Sequence, residues 1–383
     1  MPWKEAGPVL ERTRFIDDYL SGFYTITELA ARYGVSRRIL HKWLSRHDAD
    51  GARGLADRSR APLSIPHRTS SDIEAQIIAF RLRFPHMGPR KIAARLAELH
   101  PGIPWPAAST IGDILDRANL VASQPRRNPP AHPLRTRTVP TAPNDLMTVD
   151  YKGQFLLGNH RYCYPLTIVD YVSRYILACE AFPSTQQAHT RKVFERVFRE
   201  YGLPRAILSD NGSPFGSPGL GRLSRLSLWW IRLEISIERI VPGHPEQNGA
   251  HERMHRTLNA ETARPPESTF ERQQKRFDHF RHDFNHERPH EALGQKRPAT
   301  VFTPSPRPYP EVLPPIEYAG HLQTRKVDHT GMIRWKNNSR LFLSHTLHGE
   351  IVGLEEIDDG VWSLYYGPVL LARFDERERR FYG

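Results

Sequence analysis

The chain has 383 residues, of which 39% are hydrophobic and 25% charged, and it carries a formal net charge of +12. This length allows two or three domains with separate cores. There is no apolar run of eighteen residues and no apolar segment typical of a signal peptide at the start, so we expect a cytoplasmic protein without a membrane segment.

The positive charge is concentrated near the N-terminus. Residues 1–143 contain 22 Lys and Arg against 13 Asp and Glu, which leaves only +3 for the other 240 residues. A basic excess of this kind indicates a polyanionic partner such as nucleic acid. Arginine outnumbers lysine, which suits bidentate phosphate contact, although a nucleotide bias in the source genome produces the same ratio.

Residues 1–60 are predicted to form a helix-turn-helix domain. In TITELAARYGVSRRILHKWLSRH a short amphipathic helix breaks at Gly34, and a second helix starts after Ser36. Thr25 and Glu28 have the spacing of a capping box for the first helix. The second helix would present a basic outer face to DNA, as recognition helices do, through Arg37, Arg38, His41 and Lys42. The alternative is an ordinary helical hairpin with a solvated basic face.

A second helical domain is predicted at residues 68–121, with Ser109 as the N-cap of its last helix. The stretch GPRKIAARL opens a helix directly after a Gly-Pro turn. Its free N–H groups and the side chains of Arg90 and Lys91 therefore suit contact with phosphate. A packed three-helix bundle with surface charge explains the same pattern equally well.

Two proline-rich stretches are predicted as linkers between domains. Residues 122–144 are rich in proline and arginine and poor in apolar residues, so they are expected to be extended and to follow a DNA backbone through Arg126 and Arg127. Residues 296–318 form the second linker and separate the middle of the chain from its C-terminal part.

Residues 145–295 are predicted to form a mixed α/β domain. Three strand-like runs and an amphipathic helix are followed by a buried strand that ends at Asp210, a second helix and a short fifth strand. Trp229 and Trp230 in the second helix are expected to fill the core beneath the sheet. Asp170 and Arg174 have the spacing of an ion pair near the end of a strand.

Three acidic residues occupy positions that a folded domain can bring together. Asp150 lies in the first strand, Asp210 precedes the Asn211-Gly212 turn, and Glu252 lies in the early turns of a helix. Three clustered carboxylates repel one another unless cations lie between them, and hard divalent ions such as Mg²⁺ or Mn²⁺ are the natural occupants. Two such ions about 4 Å apart promote in-line displacement at a phosphodiester.

The motifs around these acids resemble those of one enzyme family. TVDYKG, SDNGSPF and PGHPEQNGAHERMHRTL are similar, in the same order, to the Asp, Asp and Glu motifs of the DDE transposase and retroviral-integrase catalytic core. FNHERPHEALGQKRPA resembles the end of this core in bacterial insertion-sequence transposases. The resemblance implies an RNase H-like core in which Asp150, Asp210 and Glu252 are catalytic and bind two Mg²⁺ ions, with Mn²⁺ as a substitute.

Two departures from the family pattern affect the third acid. Forty-one residues separate Asp210 from Glu252, which is longer than the commonest family spacing and indicates an inserted surface loop. Glu246 stands where relatives usually have glutamine, so it is a rival for the third carboxylate. Glu252 is preferred because it lies on a helix near the N-terminal dipole, which favours the ionised carboxylate, whereas Glu246 lies in a loop before Gly249. Gly249 itself would allow close approach of loop and helix.

His251, Glu252 and His255 also match the HExxH motif of zinc metalloproteases. Arg253 interrupts the motif and no further histidine completes it downstream, so this third alternative has little support. His251, Arg253, His255 and Arg256 are instead expected around the end of the helix that approaches DNA, with Arg253 and Arg256 in contact with it. The plain alternative is an exposed, solvated cluster.

Residues 319–383 are predicted to form a small β-barrel, because short alternating strands are separated by Gly, Asn and Asp turns. This part is nearly neutral, which is compatible with a module that binds DNA or another protomer and equally with a purely architectural one. Cys163 and Cys179 lie in apolar stretches without CxxC spacing, which favours buried thiols over a disulfide.

The sequence as a whole predicts a multidomain α+β protein with N-terminal all-α modules, a central α/β core and a C-terminal barrel. The expected function is that of a nucleoid-associated DNA transposase or integrase. It would bind double-stranded DNA at the terminal repeats of its element, cut there, and join the 3′-hydroxyl to target DNA as a homo-oligomer. The alternative is a non-catalytic helix-turn-helix regulator or a domesticated integrase that retains the fold.

Overall fold

The computed structural model describes residues 7–58, 69–121, 138–240, 248–336 and 339–382. The chain divides into two compact units, residues 1–68 and residues 69–383. In the described part of the chain, no helix combines the length and apolar character that crossing a membrane requires.

The first unit contains three helices around one small core. They are α1 (Pro8–Leu20), α2 (Ile26–Tyr33) and α3 (Arg37–Asp50). The predicted capping box at α2 is confirmed, because the Glu28 amide donates to Thr25 Oγ1 and the Thr25 amide donates to the Glu28 carboxylate at 2.7 Å. Gly34 ends α2 with a φ of 63°, a conformation that suits glycine, and the Ser36 hydroxyl caps α3. The break and restart expected for a helix-turn-helix are therefore present.

The second unit begins with a three-helix module made of α4 (Ser71–Arg83), α5 (Pro89–Leu99) and α6 (Ala108–Arg117). The prediction that Ser109 is the N-cap of α6 is wrong, because the helix begins at Ala108 and Ala107 occupies the capping position, two residues earlier. The module packs against the rest of the unit through buried Arg95, whose guanidinium lies 2.7 Å from the Glu287 carboxylate. This ion pair accounts for part of the charge on α5.

A mixed six-stranded sheet forms the centre of the second unit. Its strands are β1 (Leu146–Tyr151), β2 (Phe155–Leu156), β3 (Tyr162–Asp170), β4 (Ile176–Phe182), β5 (Ala206–Ser209) and β6 (Ser236–Arg239). The order is β2-β3-β1-β5-β6, and β4 pairs with β3. Strand β1 runs antiparallel to β3 and parallel to β5. The α/β core expected from the sequence is confirmed.

Helices cover both faces of this sheet. They are α7 (Gln187–Tyr201), α8 (Arg225–Arg232), α9 (Gly249–Thr262) and α10 (Phe270–His286). One face packs on α7 and α8, where Trp229 and Trp230 are buried as predicted. The other face packs on α9 and α10, and its core contains Cys163 and Cys179, which are free buried thiols as expected.

The second proline-rich stretch lies on the central core. It contains the short helix α11 (Pro298–Val301), and the rings of Phe302 and Tyr309 pack against the core under α7 and α8. The Leu203 amide donates to the Arg307 carbonyl at 2.7 Å, which ties the stretch to the end of α7. Proline keeps these residues extended, while their apolar side chains hold them on the surface of the core.

The C-terminal strands form open antiparallel sheets. The strands are β7 (Gln323–Lys326), β8 (Met332–Arg334), β9 (Arg340–Phe342), β10 (Ile351–Asp358), β11 (Val361–Tyr366), β12 (Val369–Asp375) and β13 (Arg380–Tyr382). Five of them have the order β13-β12-β11-β10-β7, and β8 pairs with β9. Among the described residues no closed barrel is found, so the predicted barrel is not confirmed. Leu228 and Ile231 of α8 are buried in the core of these sheets. The helix α8 therefore covers this core, although the sheets do not close into a barrel.

Candidate active site

Asp150 lies in β1, and Asp210 directly follows the neighbouring strand β5. The two strands run parallel with Thr148 opposite Leu208, and each acid lies two residues beyond this pair. Adjacent strands are about 4.8 Å apart. Burial, together with the charges of Asp210 and Glu252, raises the pKa of Asp150 to about 7. Two of the three sequence-predicted acids are thus brought together, and the third is close enough to act on Asp150.

The turn after β5 positions Asp210. The Gly212 amide donates to Asp210 Oδ1 at 3.1 Å, and the Asn211 side-chain amide donates to the Ile240 carbonyl at 2.8 Å. A Cβ atom on Gly212 would lie 3.1 Å from the Asp210 carboxylate, so only glycine fits without a shift. Burial raises the pKa of Asp210, and Arg239 acts in the opposite direction. The predicted role of Asn211 and Gly212 in shaping this turn is confirmed.

Glu252 lies in the first turn of α9 with an exposed side chain. The unpaired N–H groups of a helix start favour a carboxylate there. Over the ranges that the structure describes, no three His, Cys, Asp or Glu side chains are gathered tightly enough to hold a metal ion as they stand. Glu246, the rival acid, lies outside the described residues.

A buried hydrogen-bond network attaches α9 to the sheet beside Asp150. Thr167, which pairs with Asp150 across β1 and β3, has its Oγ1 2.6 Å from Nε2 of His251 and 2.7 Å from Nε2 of His255. The other ring nitrogen of His251, Nδ1, lies 2.8 Å from Thr148 Oγ1. Both histidines of the HExxH pattern therefore bind threonine hydroxyls. Thr148 and Thr167 are site residues that sequence analysis missed, because nothing in a strand marks one threonine as the partner of a distant helix.

Both hydroxyls of this network also reach backbone carbonyls. The Thr148 hydroxyl lies 3.3 Å from the Val169 carbonyl oxygen, and the Thr167 hydroxyl lies 3.2 Å from the Asp150 carbonyl oxygen. Each hydroxyl has one hydrogen to donate, so the tautomer of His251 depends on which acceptor each threonine serves. Burial lowers the pKa of His251 to about 3 and that of His255 to about 2, so both rings are neutral. Nδ1 of His255 faces the Asp150 carboxylate at 3.7 Å.

Two interpretations from the sequence are corrected here. His251 and His255 do not surround a DNA-facing helix end, because their rings are buried against the sheet. Asp170 does not pair with Arg174. Its carboxylate accepts hydrogen bonds from the Asn144 amide and from the amide and hydroxyl of Ser173, while the Arg174 guanidinium lies over the Tyr171 ring. The Asp170 carboxylate therefore stabilises the turn that follows β3.

The basic residues predicted to contact DNA have different surroundings. All four on α3 are exposed, namely Arg37, Arg38, His41 and Lys42. Arg253 and Arg256 are exposed on α9, whereas Arg90 lies 3.2 Å from Glu291 and Lys91 is half-buried. Arg126 and Arg127 lie outside the described residues.

Comparison with known protein domains agrees with this geometry. Residues 140–245 and residues 233–298 each match a model of the integrase core domain. The chain contains an integrase core domain. It is preceded by residues 11–62, which match a helix-turn-helix domain, and residues 39–115, which match a homeodomain-like domain. The integrase core includes Asp150, Asp210 and Glu252, and the resemblance expected from the motifs is confirmed.

Viral and bacterial proteins are similar to part of this chain. The Gag-Pol polyprotein of baboon endogenous virus is 31% identical over 176 residues, or 45% of this chain and 10% of that protein. The insertion element IS407 uncharacterized 31.7 kDa protein of Burkholderia multivorans is 25% identical over 162 residues, or 42% of this chain and 56% of that protein. The matched region thus spans a tenth of the polyprotein and just over half of the bacterial protein.

Solved structures of viral integrases also align with the chain. A simian T-cell lymphotropic virus intasome chain aligns over 77% of this chain and 97% of its own length, with a TM-score of 0.38 and 17% identity. The HTLV-2 integrase catalytic core domain in complex with magnesium aligns over 42% of this chain and 97% of its own length, with a TM-score of 0.32 and 14% identity.

Proposed function

We propose that this protein is a DDE-type DNA transposase. It binds the ends of its mobile element through the N-terminal helical modules, hydrolyses a terminal phosphodiester, and joins the 3′-hydroxyl to target DNA. The observation that carries the proposal is the set of three acids: Asp150 lies in β1, Asp210 directly follows the parallel neighbouring strand β5, and the charges of Asp210 and Glu252 both act on Asp150. Clusters of perturbed carboxylates are typical of catalytic sites.

The chemistry of the three carboxylates suits a divalent metal centre. Their oxygens are ligands that Mg²⁺ prefers, and the pKa of Asp150 is raised by burial and then by repulsion from Asp210 and Glu252, which a cation would relieve. Two bound Mg²⁺ ions, with Mn²⁺ as a substitute, would supply activation of the attacking oxygen and stabilisation of the leaving oxygen. In this proposal Asp150, Asp210 and Glu252 are both the catalytic residues and the metal ligands.

Neighbouring residues of the chain support the elements that carry these carboxylates. The Gly212 amide and the Asn211 side chain hold the Asp210 turn, and the histidine–threonine network holds α9 on the face of the sheet that bears Asp150. A rigid support of this kind keeps the carboxylates in position for the reaction. Arg253 and Arg256, exposed on the same helix as Glu252, are placed to bind DNA phosphates.

We further propose that the partner is double-stranded DNA and that the protein acts as a homo-oligomer, since two element ends must be held together. The exposed basic face of α3 is suited to the major groove. The second candidate function is a non-catalytic DNA-binding regulator, which the helix-turn-helix match would equally support.

A strand-transfer assay tests the proposal. The full-length protein is incubated with DNA taken from the flanks of its own gene, a target plasmid and Mg²⁺. Asp210→Asn and Glu252→Gln should abolish joining, while binding to the same DNA stays within about twofold. The matched control is Asp116→Asn, which removes an exposed carboxylate from α6 and should leave joining unchanged. Joining by Asp210→Asn would refute the assignment, and DNA binding without joining by the wild-type protein in Mg²⁺ or Mn²⁺ would favour the regulator.

A further inference from the structure

A cavity lies between the second helical module and the integrase core. Its volume is about 200 Å³, and its lining comes from α5, β1, β3 and the turn after β3, from α9, and from the end of α10 and the segment that follows it. The lining includes Lys91, Thr148, Arg174, Arg253, Arg288 and His290.

The cavity has an excess of positive charge. Arg288 lies 2.6 Å from Glu261, and the lining acid Glu291 lies 3.2 Å from Arg90. The remaining three cations, Lys91, Arg174 and Arg253, form no ion pair within the described residues. Burial and the charge of Arg288 lower the pKa of Lys91 to about 8, and the charges of Glu261 and Glu291 offset this shift only in part.

A buried ring nitrogen in the lining is also unsatisfied. Nε2 of His290 has no hydrogen-bond partner among the described residues, although it is shielded from solvent. Buried polar atoms are rarely left without a partner, so this one marks a place where a ligand or solvent belongs.

Arg174 is held in the lining by a strained turn. Its φ is 63°, in the left-handed region that non-glycine residues seldom adopt. The turn is maintained by Asp170, whose carboxylate accepts from Ser173 and whose carbonyl accepts from the Arg174 amide at 2.9 Å. Strain that the surrounding structure maintains is concentrated at functional sites.

The cavity adjoins the proposed catalytic acids. Arg253 follows Glu252 on α9, and Thr148 lies two residues before Asp150 on the same face of β1, a separation of about 7 Å along the strand. Sites for drug-sized ligands usually have volumes of about 300–1,000 Å³. A cavity of about 200 Å³ is therefore suited to a phosphate group and too small for a whole nucleotide.

We propose that this cavity binds a backbone phosphate of the DNA strand next to the phosphodiester on which the acids act. The inference rests on the proposed function for the identity of the ligand, and free phosphate shares the same chemistry. Lys91 of the helical module and Arg174 and Arg253 of the integrase core would together clamp the strand where it enters the site.

The test measures binding in the absence of a divalent metal, so that it does not depend on catalysis. Affinity of the full-length protein for DNA from its gene's flanks is measured in EDTA as a function of KCl concentration. The variants are Lys91→Gln and Arg174→Gly. Glycine suits the left-handed φ, so the second variant removes the cation and relieves backbone strain. The matched control is Lys192→Gln, which removes an exposed lysine from α7.

Loss of one phosphate contact should lower the slope of log K against log salt by about 0.9, and it should weaken binding about five- to tenfold near 0.1 M salt. We expect this for Lys91→Gln and Arg174→Gly, recovery in Lys91→Arg and Arg174→Lys, and no change in the control. Unchanged slopes in both charge-removing variants would overturn the proposal. A second result would also overturn it. In that case calorimetry shows that the wild type binds inorganic phosphate at this site, but Lys91→Gln and Arg174→Gly leave the slope of log K against log salt for DNA unchanged. If the slopes change but the wild type joins no DNA, the phosphate site stands and the proposed transposase activity fails.

Discussion

Thr167 Oγ1 lies 2.7 Å from Nε2 of His255, joining the strand that pairs with Asp150 to the helix that carries Glu252. The same hydroxyl lies 2.6 Å from Nε2 of His251. The HExxH pattern thus has a structural meaning in this chain: Glu252 points to solvent, and the two histidines that flank it hold the helix on the sheet.

Removal of the Thr167 hydroxyl should loosen this attachment. Thr167→Val leaves the ring nitrogens of His251 and His255 without their shared partner, which should lower the free energy of unfolding by about 1–3 kcal/mol. Strand transfer should fall more than tenfold, because a displacement of about 1 Å at the acids is enough for a large loss. Thr167→Ser retains the hydroxyl and should recover both properties. Urea unfolding and strand-transfer rates check the two effects, and equal losses in Val and Ser variants would contradict this role.

The two buried histidines should make the protein sensitive to acid. Their pKa values are about 3 and about 2 in the folded chain, below the ordinary value of about 6.5 expected after unfolding. Between these values the unfolded state binds more protons, so the free energy of unfolding falls as pH decreases below about 6.5. Each ring should contribute roughly 1 kcal/mol per pH unit in this window. Urea unfolding at pH 5.0 and pH 7.5 should show a smaller difference for His255→Asn than for wild type; an equal difference would show that His255 protonates in the folded state.

Asp150 should have the opposite pH dependence. Its pKa is raised from 3.8 to about 7 in the folded protein, so its stabilising contribution is full below about pH 4 and is lost as pH rises through 7. In metal-free protein at pH 8, Asp150→Asn should therefore be more stable than wild type, on the order of 2–4 kcal/mol. The advantage should disappear at pH 4, and Asp116→Asn should show no such change. Thermal unfolding in EDTA provides the measurement.

Magnesium should reverse the order of stability of wild type and Asp150→Asn. A ligand that binds only the folded state stabilises it by mass action, so Mg²⁺ should raise the melting temperature of wild type. Asp150→Asn lacks one proposed ligand and should respond much less. If Mg²⁺ and Mn²⁺ shift the melting temperature of both proteins equally, Asp150 is not part of the metal site.

The C-terminal sheets should depend on the integrase core for their stability. Ile231 of α8 is buried in their hydrophobic core together with Leu228, and its side chain lies close to Gly367 in the turn before β12. Ile231→Ala should lower the free energy of unfolding by about 2–4 kcal/mol. Exposed Ile357 on β10 provides the control, since its replacement by alanine should have little effect. A separately produced fragment 319–383 should unfold at a lower urea concentration than the intact chain.

The sequence alone determined the properties that depend on local pattern. Thr25 and Glu28, three positions apart, specify a capping box, and short buried runs specify β1 and β5. The ordered motifs around Asp150, Asp210 and Glu252 identify the integrase core without knowledge of the tertiary structure. Periodicity and short motifs are read within a few residues, so they survive without knowledge of the fold.

Only the tertiary structure decided which distant residues meet. His251 and His255 were expected to face DNA, but in the structure they are buried and contact Thr148 and Thr167, more than eighty positions away. The tertiary structure also replaced the predicted barrel by open sheets covered by α8, and it placed Lys91 beside Arg288. The physical reason is that a hydroxyl, an imidazole or an ammonium group finds its partner through the packing of sheet faces and helices, and that packing has no signature in local sequence.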